Sequence, residues 1–350
     1  MPNPFSLTFG QPPKQLIDRP VQKEQILEDF TSETSPQMVY VITGVRGSGK
    51  TVLMTQIADR LAVDDETWIT VELNSEMDLL QNLVAELYDN PVCRPWFQQA
   101  EIRLPFIGLE LGFSQENSTI SYGTTAKKMI SSIQKHRKRL LIAVDEATNS
   151  KQMRIFAAEY QIWLRKGLPV YLLMTGLYDN IYKLQNEPSM TFLYRAPKVH
   201  LPPLNLGVVA SRYASLLHLQ EDQARQMALL TKGYPYAFQV LGYYTWKNDG
   251  NYQASMEQYK LHLDSYVYDK IWSELSAKDQ KVLHAVASAN DSRVKSIREL
   301  LSMEDRQFSP YRERLIRKGL VESTSRGTLE LTLPLFREYI LYNYMDNSLE

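Results

Sequence analysis

Gly44-Val45-Arg46-Gly47-Ser48-Gly49-Lys50-Thr51 matches the pattern G-x-x-x-x-G-K-[ST] in full. It follows the apolar run MVYVIT (38–43) and precedes VLMTQIADRLA (52–62), whose apolar residues recur at three- and four-residue spacing. Strand, loop and helix thus stand in the order that converges backbone N–H groups on an anion at a helix N-terminus. Gly44, Gly47 and Gly49 leave out the Cβ atoms that would block close approach to phosphates. Lys50 supplies charge for the β- and γ-phosphates, and the Thr51 hydroxyl supplies a ligand for Mg2+. The stretch from Gly44 to Val52 therefore predicts a cradle for ATP or ADP with Mg2+.

A second signal is Arg139-Leu140-Leu141-Ile142-Ala143-Val144-Asp145-Glu146, an apolar strand ending in two acids. Such a strand carries them to the carboxyl edge of a sheet, where open α/β sheets bind ligands. Asp145 is suited to hold Mg2+ through its water shell, and Glu146 to orient or deprotonate an attacking water. Two acids after a strand also open ordinary solvated helices; the Gly-rich loop is what gives this pair its weight. A glutamate so placed favours hydrolysis over transfer to a small acceptor, which needs no activated water. Thr175 ends VYLLMTG (170–176), where its hydroxyl either meets the γ-phosphate or lytic water or simply closes a strand before Gly176.

Five segments are rich in Val, Ile, Tyr and Thr as buried strands are: MVYVITG, TWITVEL, RLLIAVDE, LPVYLLMTG and PKVHLPP. Alternating with amphipathic stretches, they predict an α/β fold, a P-loop NTPase with a parallel five-stranded αβα sandwich. EIRLPFIGLELGFS (101–114) reads as an inserted hairpin about Gly108, with a polar stretch running to Gly123. After 206 the pattern is helical, with VVASRYASLLHL and QARQMALLTKG and with Gly233 placed as a helix C-cap. KDQKVLHAVAS, VKSIRELLS and SPYRERLIRKG follow, then LVESTS, an Arg326-Gly327 turn and TLELTLP, which together predict a winged helix. The expected domains are a nucleotide-binding core over 1–206 with the insertion at about 100–123, a helical lid over 207–271, and a winged helix over 272–350.

Bulk composition narrows the partners. The 39 basic and 40 acidic residues leave a net charge of −1, so a nucleic-acid surface has to be local. Cys93 is the single cysteine and the five histidines lack ligand spacing, so neither a disulfide nor a structural metal is expected. No apolar run approaches the ~20 residues that span a bilayer, and the N-terminus lacks the blocks of a signal peptide, so a cytoplasmic protein is expected. The local basic surface is the third C-terminal helix. Leu315 and Ile316, continued by Leu320, face inward, and Arg312, Arg314, Arg317 and Lys318 outward, with Arg326 on the ribbon turn. In a winged helix this helix enters the major groove, where arginines meet phosphates or guanine edges. Glu313, Glu322 and Glu330 dilute that charge, and a solvated or protein-binding face is the alternative.

GVRGSGKT, LLIAVDEA, LLMTGL, FLYRAPKVHLPPL and KGYPYAFQVLGYY together resemble the AAA+ ATPases of the origin-recognition-like and STAND groups. The likeness is greatest to bacterial and archaeal ATPases that join such a module to a winged helix, and it runs from about Arg19 to about Tyr344. It implies a nucleotide-driven switch in which one strand separates the P-loop strand from the Asp-Glu strand. Thr175 would then be sensor 1. Gly233-Tyr234-Pro235 is similar to the STAND GxP motif, which would set Pro235 near the adenine, and Arg19, ahead of Pro20 and Glu24, would pack near the base. The helix after Gly233 has no arginine where sensor 2 would be sought. Arg195 stands where an arginine finger would reach a neighbouring protomer's nucleotide in an ATP-state homo-oligomer; a surface salt bridge is its other reading.

Three functions are open to such a chain. It is an ATPase switch acting on duplex DNA through its winged helix, or a STAND-like signalling or defence switch whose last module binds protein and whose turnover is slow. A P-loop kinase for a small substrate is the third, disfavoured by Glu146 and by the long C-terminal half.

Overall fold

The three inner strands of the central sheet, Val39–Thr43, Arg139–Asp145 and Val170–Gly176, are buried along nearly all their length, whereas the edge strands Trp68–Asn74 and Lys198–His200 are buried only in part. The computed structural model describes residues 2–8, 13–64, 66–102, 104, 121–187 and 190–346. They form two compact units: Arg19–Thr43 with Lys50–His200, and Met1–Asp18 with Gly44–Gly49 and Leu201–Glu350.

The first unit holds helix α1 (Pro20–Thr31), strand β1 (Val39–Thr43), α2 (Lys50–Asp64), β2 (Trp68–Asn74), α3 (Leu79–Asp89), α4 (Arg94–Gln99), α5 (Tyr122–Lys135), β3 (Arg139–Asp145), α6 (Lys151–Arg165), β4 (Val170–Gly176), α7 (Tyr178–Gln185), α8 (Thr191–Arg195) and β5 (Lys198–His200). Among the described residues its sheet has the order β2-β3-β4-β1-β5, and every pair is parallel. Strand β4 separates β1 from β3, as the family resemblance implies. The register sets Thr43 beside Gly176 and Asn74 beside Asp145, so the strands' carboxyl ends share one edge.

Helix positions follow from capping and periodicity. Ser121 and Ser150 cap α5 and α6 by accepting the amides of Thr124 and Met153. Ala126, Met129, Ile130 and Ile133 are then buried at helical spacing, as are Met153, Phe156, Ala157, Tyr160 and Trp163. The hairpin expected about Gly108 lies outside the described residues.

The second unit is mostly helical. Helices α9 (Leu206–Leu217), α10 (Glu221–Thr231) and α11 (Pro235–Lys247) are followed by α12 (Met256–Leu263), a π-helical turn at Asp264–Tyr268 and α13 (Asp269–Ser273). Between α10 and α11 the backbone turns through Lys232 at φ 48° and Gly233 at φ 70°. A Cβ on Gly233 would strike the backbone of Leu204, so this turn demands glycine. Phe5 packs its ring against Gly242 and against Tyr213 and Phe238, bringing the N-terminal segment onto α11.

Beyond these come α14 (Ala277–Ser288), α15 (Val294–Leu301), α16 (Asp305–Arg317), the antiparallel ribbon β6 (Val321–Glu322) with β7 (Glu330–Leu331), and α17 (Phe336–Asp346). Helix α16 begins four residues before the Ser309 expected from sequence. Glu304 and Gln307 form a reciprocal capping box there, and Phe308 is fully buried, which together carry the helix through Pro310. Helix α17, which the sequence reading did not identify, buries Phe336, Tyr339 and Ile340.

Candidate functional site

At the carboxyl edge of the sheet the structure brings together four of the residues singled out from sequence. Thr51, in the first turn of α2, donates its hydroxyl to Asp145 at the end of β3, 2.9 and 3.1 Å from the two carboxylate oxygens. Thr175, at the end of β4 and fully buried, donates its hydroxyl to Asp145 Oδ1 from the other side. The same hydroxyl oxygen accepts the amide of Glu146 at 3.1 Å. Thr175, next to last in β4, thus bonds both the Asp145 carboxylate and the Glu146 backbone. Lys50, the first residue of α2, is 8% exposed.

Glu146 adopts φ 49°, a left-handed conformation that costs a non-glycine residue about 1–2 kcal/mol. Its neighbours hold it there. Its amide lies 3.1 Å from both Asp145 Oδ1 and Thr175 Oγ1, and its carbonyl accepts the Ser75 hydroxyl at 2.9 Å. The backbone is clamped on both sides while the residue remains exposed, so the carboxylate projects from a fixed base. Ser75 is buried and was not singled out from sequence; no local pattern marks it, because its contact depends on β2 and β3 pairing with Asn74 beside Asp145. Close by, burial raises the pKa of Glu72 from its ordinary value, and the charges of Asp59 and Asp145 raise it further.

The loop residues Gly44 to Gly49 belong to the second unit. Gly47 has φ 76° and Gly49 φ 88°, as a phosphate-cradling loop requires. A Cβ on Gly47 would collide with the Tyr234 hydroxyl and come within 3.0 Å of Tyr236 Cβ. Tyr234 donates that hydroxyl to the Arg46 carbonyl at 2.6 Å. Arg46 also reaches Glu274 through Nη2 at 3.4 Å. Val45 and Ser48 complete the loop, and Val52 follows Thr51 in α2. Pro235 occupies the first turn of α11, with Tyr234 as the N-cap residue.

Arg19 stands at the N-cap position of α1 and is buried; its guanidinium pKa is lowered by that burial. The pKa of His200, at the end of β5, is lowered by burial and then by the charge of Arg19. Arg195, the last residue of α8, is exposed and makes no ion pair among the described residues, so the surface salt bridge considered from sequence is absent there.

In the third C-terminal helix one expectation is corrected. Arg314 does not project freely into solvent: its guanidinium pairs with Asp279 at 2.5 and 3.0 Å, and Asp279 is 4% exposed. A buried carboxylate demands a partner, and Arg314 lies across from it on the facing helix. Arg317 pairs with Glu313 at 3.5 Å along its own helix, and Arg312 touches the Ser323 hydroxyl at 3.4 Å. Lys318 is partly exposed and Arg326 exposed at the ribbon turn. Among the described residues no helix is long and apolar enough to cross a membrane.

Comparison with known proteins gives the following. A family described as a domain of unknown function, DUF8462, matches residues 265–340. No curated protein matches the chain. Among solved structures, the chain resembles a Walker-type ATPase of Pyrococcus abyssi at 16% identity and TM-score 0.63, covering 93% of this chain and 96% of that one. It also resembles the Aeropyrum pernix ORC2 protein in its ADPNP-ADP complexes at 14% identity and TM-score 0.58, covering 94% and 93% of the two chains. At such identities the likeness concerns the fold. This chain shares with those two structures its fold, which here is a parallel sheet of order β2-β3-β4-β1-β5 with a Gly-rich loop after β1.

Proposed function

We propose that this chain binds ATP with Mg2+, hydrolyses it, and uses the nucleotide state to drive its C-terminal elements, a helical lid over 207–271 and a winged helix over 272–350. One observation carries the reading: the Thr51 and Thr175 hydroxyls converge on the Asp145 carboxylate at the sheet's carboxyl edge, one residue before a clamped and exposed Glu146. Thr51 and Asp145 offer hard oxygen ligands of the kind Mg2+ takes, so the donor set fits the ion.

The residues divide the work. ATP with its Mg2+ supplies the transferable phosphoryl group and the positive charge that offsets charge on its oxygens. The N–H groups of Gly44 to Thr51 bind and orient the phosphates, and Lys50 neutralises the β- and γ-oxygens. Glu146 takes a proton from the attacking water as the new O–P bond forms and the β–γ bridging O–P bond breaks, leaving ADP and phosphate. Thr175 holds both acids, and Ser75 steadies the Glu146 carbonyl. Pro235 and Arg19 are assigned to the base side, and Arg195 to a neighbour's nucleotide in an ATP-state homo-oligomer.

Duplex DNA is the proposed partner of the winged helix, through Arg312, Arg317, Lys318 and Arg326, with Arg314 retained as the clamp on Asp279. The second reading, a STAND-like switch whose last module binds protein, is favoured by the engagement of Arg314 and Arg317 with acids of this chain. Phosphate release measured with and without duplex DNA, alongside salt-dependent DNA retention, separates the two. Replacing Arg312, Arg317 and Lys318 by Ala is expected to flatten the salt dependence by up to about one unit of slope per lost phosphate contact. Retention by neither ATP-bound nor ADP-bound protein at low ionic strength overturns the DNA reading in favour of a protein partner.

A further inference from the structure

The third residue of the Gly-rich loop is held at both ends by elements more than 180 residues away in sequence. The Arg46 carbonyl accepts the Tyr234 hydroxyl at 2.6 Å, and its guanidinium lies 3.4 Å from Glu274, which Lys270 also approaches at 3.3 Å. Tyr234 is 4% exposed, and burial raises its pKa, so the phenol remains a proton donor across the physiological range. Arg46 Nε is buried and has no hydrogen-bond partner among the described residues, leaving part of the guanidinium unsatisfied where it now lies. The next residue, Gly47 at φ 76°, has no room for a side chain against Tyr234 and Tyr236, so the loop backbone and the start of α11 are in contact.

These contacts divide into two kinds. The Tyr234 bond is made to backbone and fixes the loop's shape. The Glu274 bond is made to a side chain whose charge is opposite to that of phosphate. Glu274 immediately follows α13 and precedes Ser276, the N-cap of α14, so it sits on the connector into the last helices. We propose that Arg46 couples the phosphate loop to this connector: Tyr234 sets the backbone of the loop, and Glu274 registers the position of the arginine side chain, so that a polyphosphate drawing the guanidinium away frees Asp269–Glu274. The inference rests on the nucleotide reading above. It makes Tyr234 and Glu274 positioning residues, because neither is placed against the reacting phosphate.

Hydrogen exchange on the full chain tests it in two arms. Without nucleotide, Glu274→Gln and Arg46→Ala are each expected to speed amide exchange in both 44–49 and 269–274 by about two- to fivefold, the range that losing a partly exposed ion pair allows. Lys270→Ala is expected to leave 44–49 unchanged, since among the described residues the Lys270 ammonium pairs with Glu274 and not with the loop. With Mg-ATP, the parent is expected to show faster exchange at 269–274, and Glu274→Gln to show no further change there while still binding ATP by titration. Unaltered exchange at 44–49 in both Glu274→Gln and Arg46→Ala overturns the coupling whatever ATP does. A parent that binds ATP with no change at 269–274 overturns its response to nucleotide. A parent that binds no ATP overturns the nucleotide reading itself, and with it the responsive half of the inference, while the first arm still decides whether the contact joins loop to connector.

Discussion

Replacing Thr175 by Val keeps the shape of a fully buried side chain and removes two hydrogen bonds at once. The hydroxyl's bond to the Asp145 carboxylate is to a charged acceptor, a class worth about 1.5–3 kcal/mol. The Glu146 amide would lose its 3.1 Å contact with Thr175 but keep Asp145 Oδ1, also at 3.1 Å, so that loss is worth only about 0.5–1 kcal/mol. Together the substitution should cost about 2–4 kcal/mol of stability in the unit that holds the central sheet. For a unit of this size that lowers the melting temperature by roughly 4–16 °C. Thr175→Ser retains the hydroxyl and sheds one methyl, a change of about 1 kcal/mol. The assay is urea or thermal unfolding of parent, Val and Ser proteins side by side. A Val protein within about 0.5 kcal/mol of the parent, or a Ser protein as damaged as Val, refutes the dual role given to this hydroxyl, since lost hydrogen bonds of this kind cost more.

Other perturbations follow from the same contacts. Arg314→Ala strips Asp279 of its cation and leaves it the Ser276 hydroxyl at 2.8 Å, so a loss of about 1–3 kcal/mol is expected in chemical denaturation, partly recovered by adding Asp279→Asn. Asp264, in the π-helical turn, has its carboxyl pushed up to about 6, first by burial and further by Asp269 and Glu338 against the pull of Lys260. The folded state thus holds this proton more tightly than the unfolded chain does, a contribution present below the unfolded pKa of about 3.9 and lost as pH rises through about 6. Asp264→Asn should therefore melt above the parent at pH 8 and lose that margin at pH 4; an equal difference at both pH values contradicts the assignment.

The legible part of this chain was what local pattern can encode. The Gly-rich loop declares itself because its chemistry needs glycines and a lysine at fixed spacing, and Asp145-Glu146 because a buried strand must end where its charges begin. What escaped depends on elements meeting. Ser75 reaches the Glu146 carbonyl only because β2 and β3 run in parallel register, and the two hydrogen bonds of Thr175, to the Asp145 carboxylate and from the Glu146 amide, need β4 beside β3. The Tyr234 contact to Arg46 spans 188 residues and leaves no local trace. Arg314 looked like one cation of a charged face, since helix periodicity does not disclose a buried acid on a facing helix. The start of α16 was misplaced because Pro310 resembles a first-turn proline, whereas the Glu304–Gln307 capping box opens the helix earlier.

The central claim is that Glu146 activates water for hydrolysis of an ATP held by the loop and Lys50. Its most direct test measures ATP binding and phosphate release on the same preparations of parent, Lys50→Ala and Glu146→Gln. The parent is expected to bind ATP and release phosphate only with Mg2+, and Lys50→Ala to bind poorly because it loses the charge-assisted contact to the β- and γ-phosphates. Glu146→Gln is expected to bind like the parent and to lose about 10²-fold or more in turnover, the usual worth of a general base. Turnover within about a factor of two of the parent in Glu146→Gln, where losing such a base should cost far more, contradicts the account.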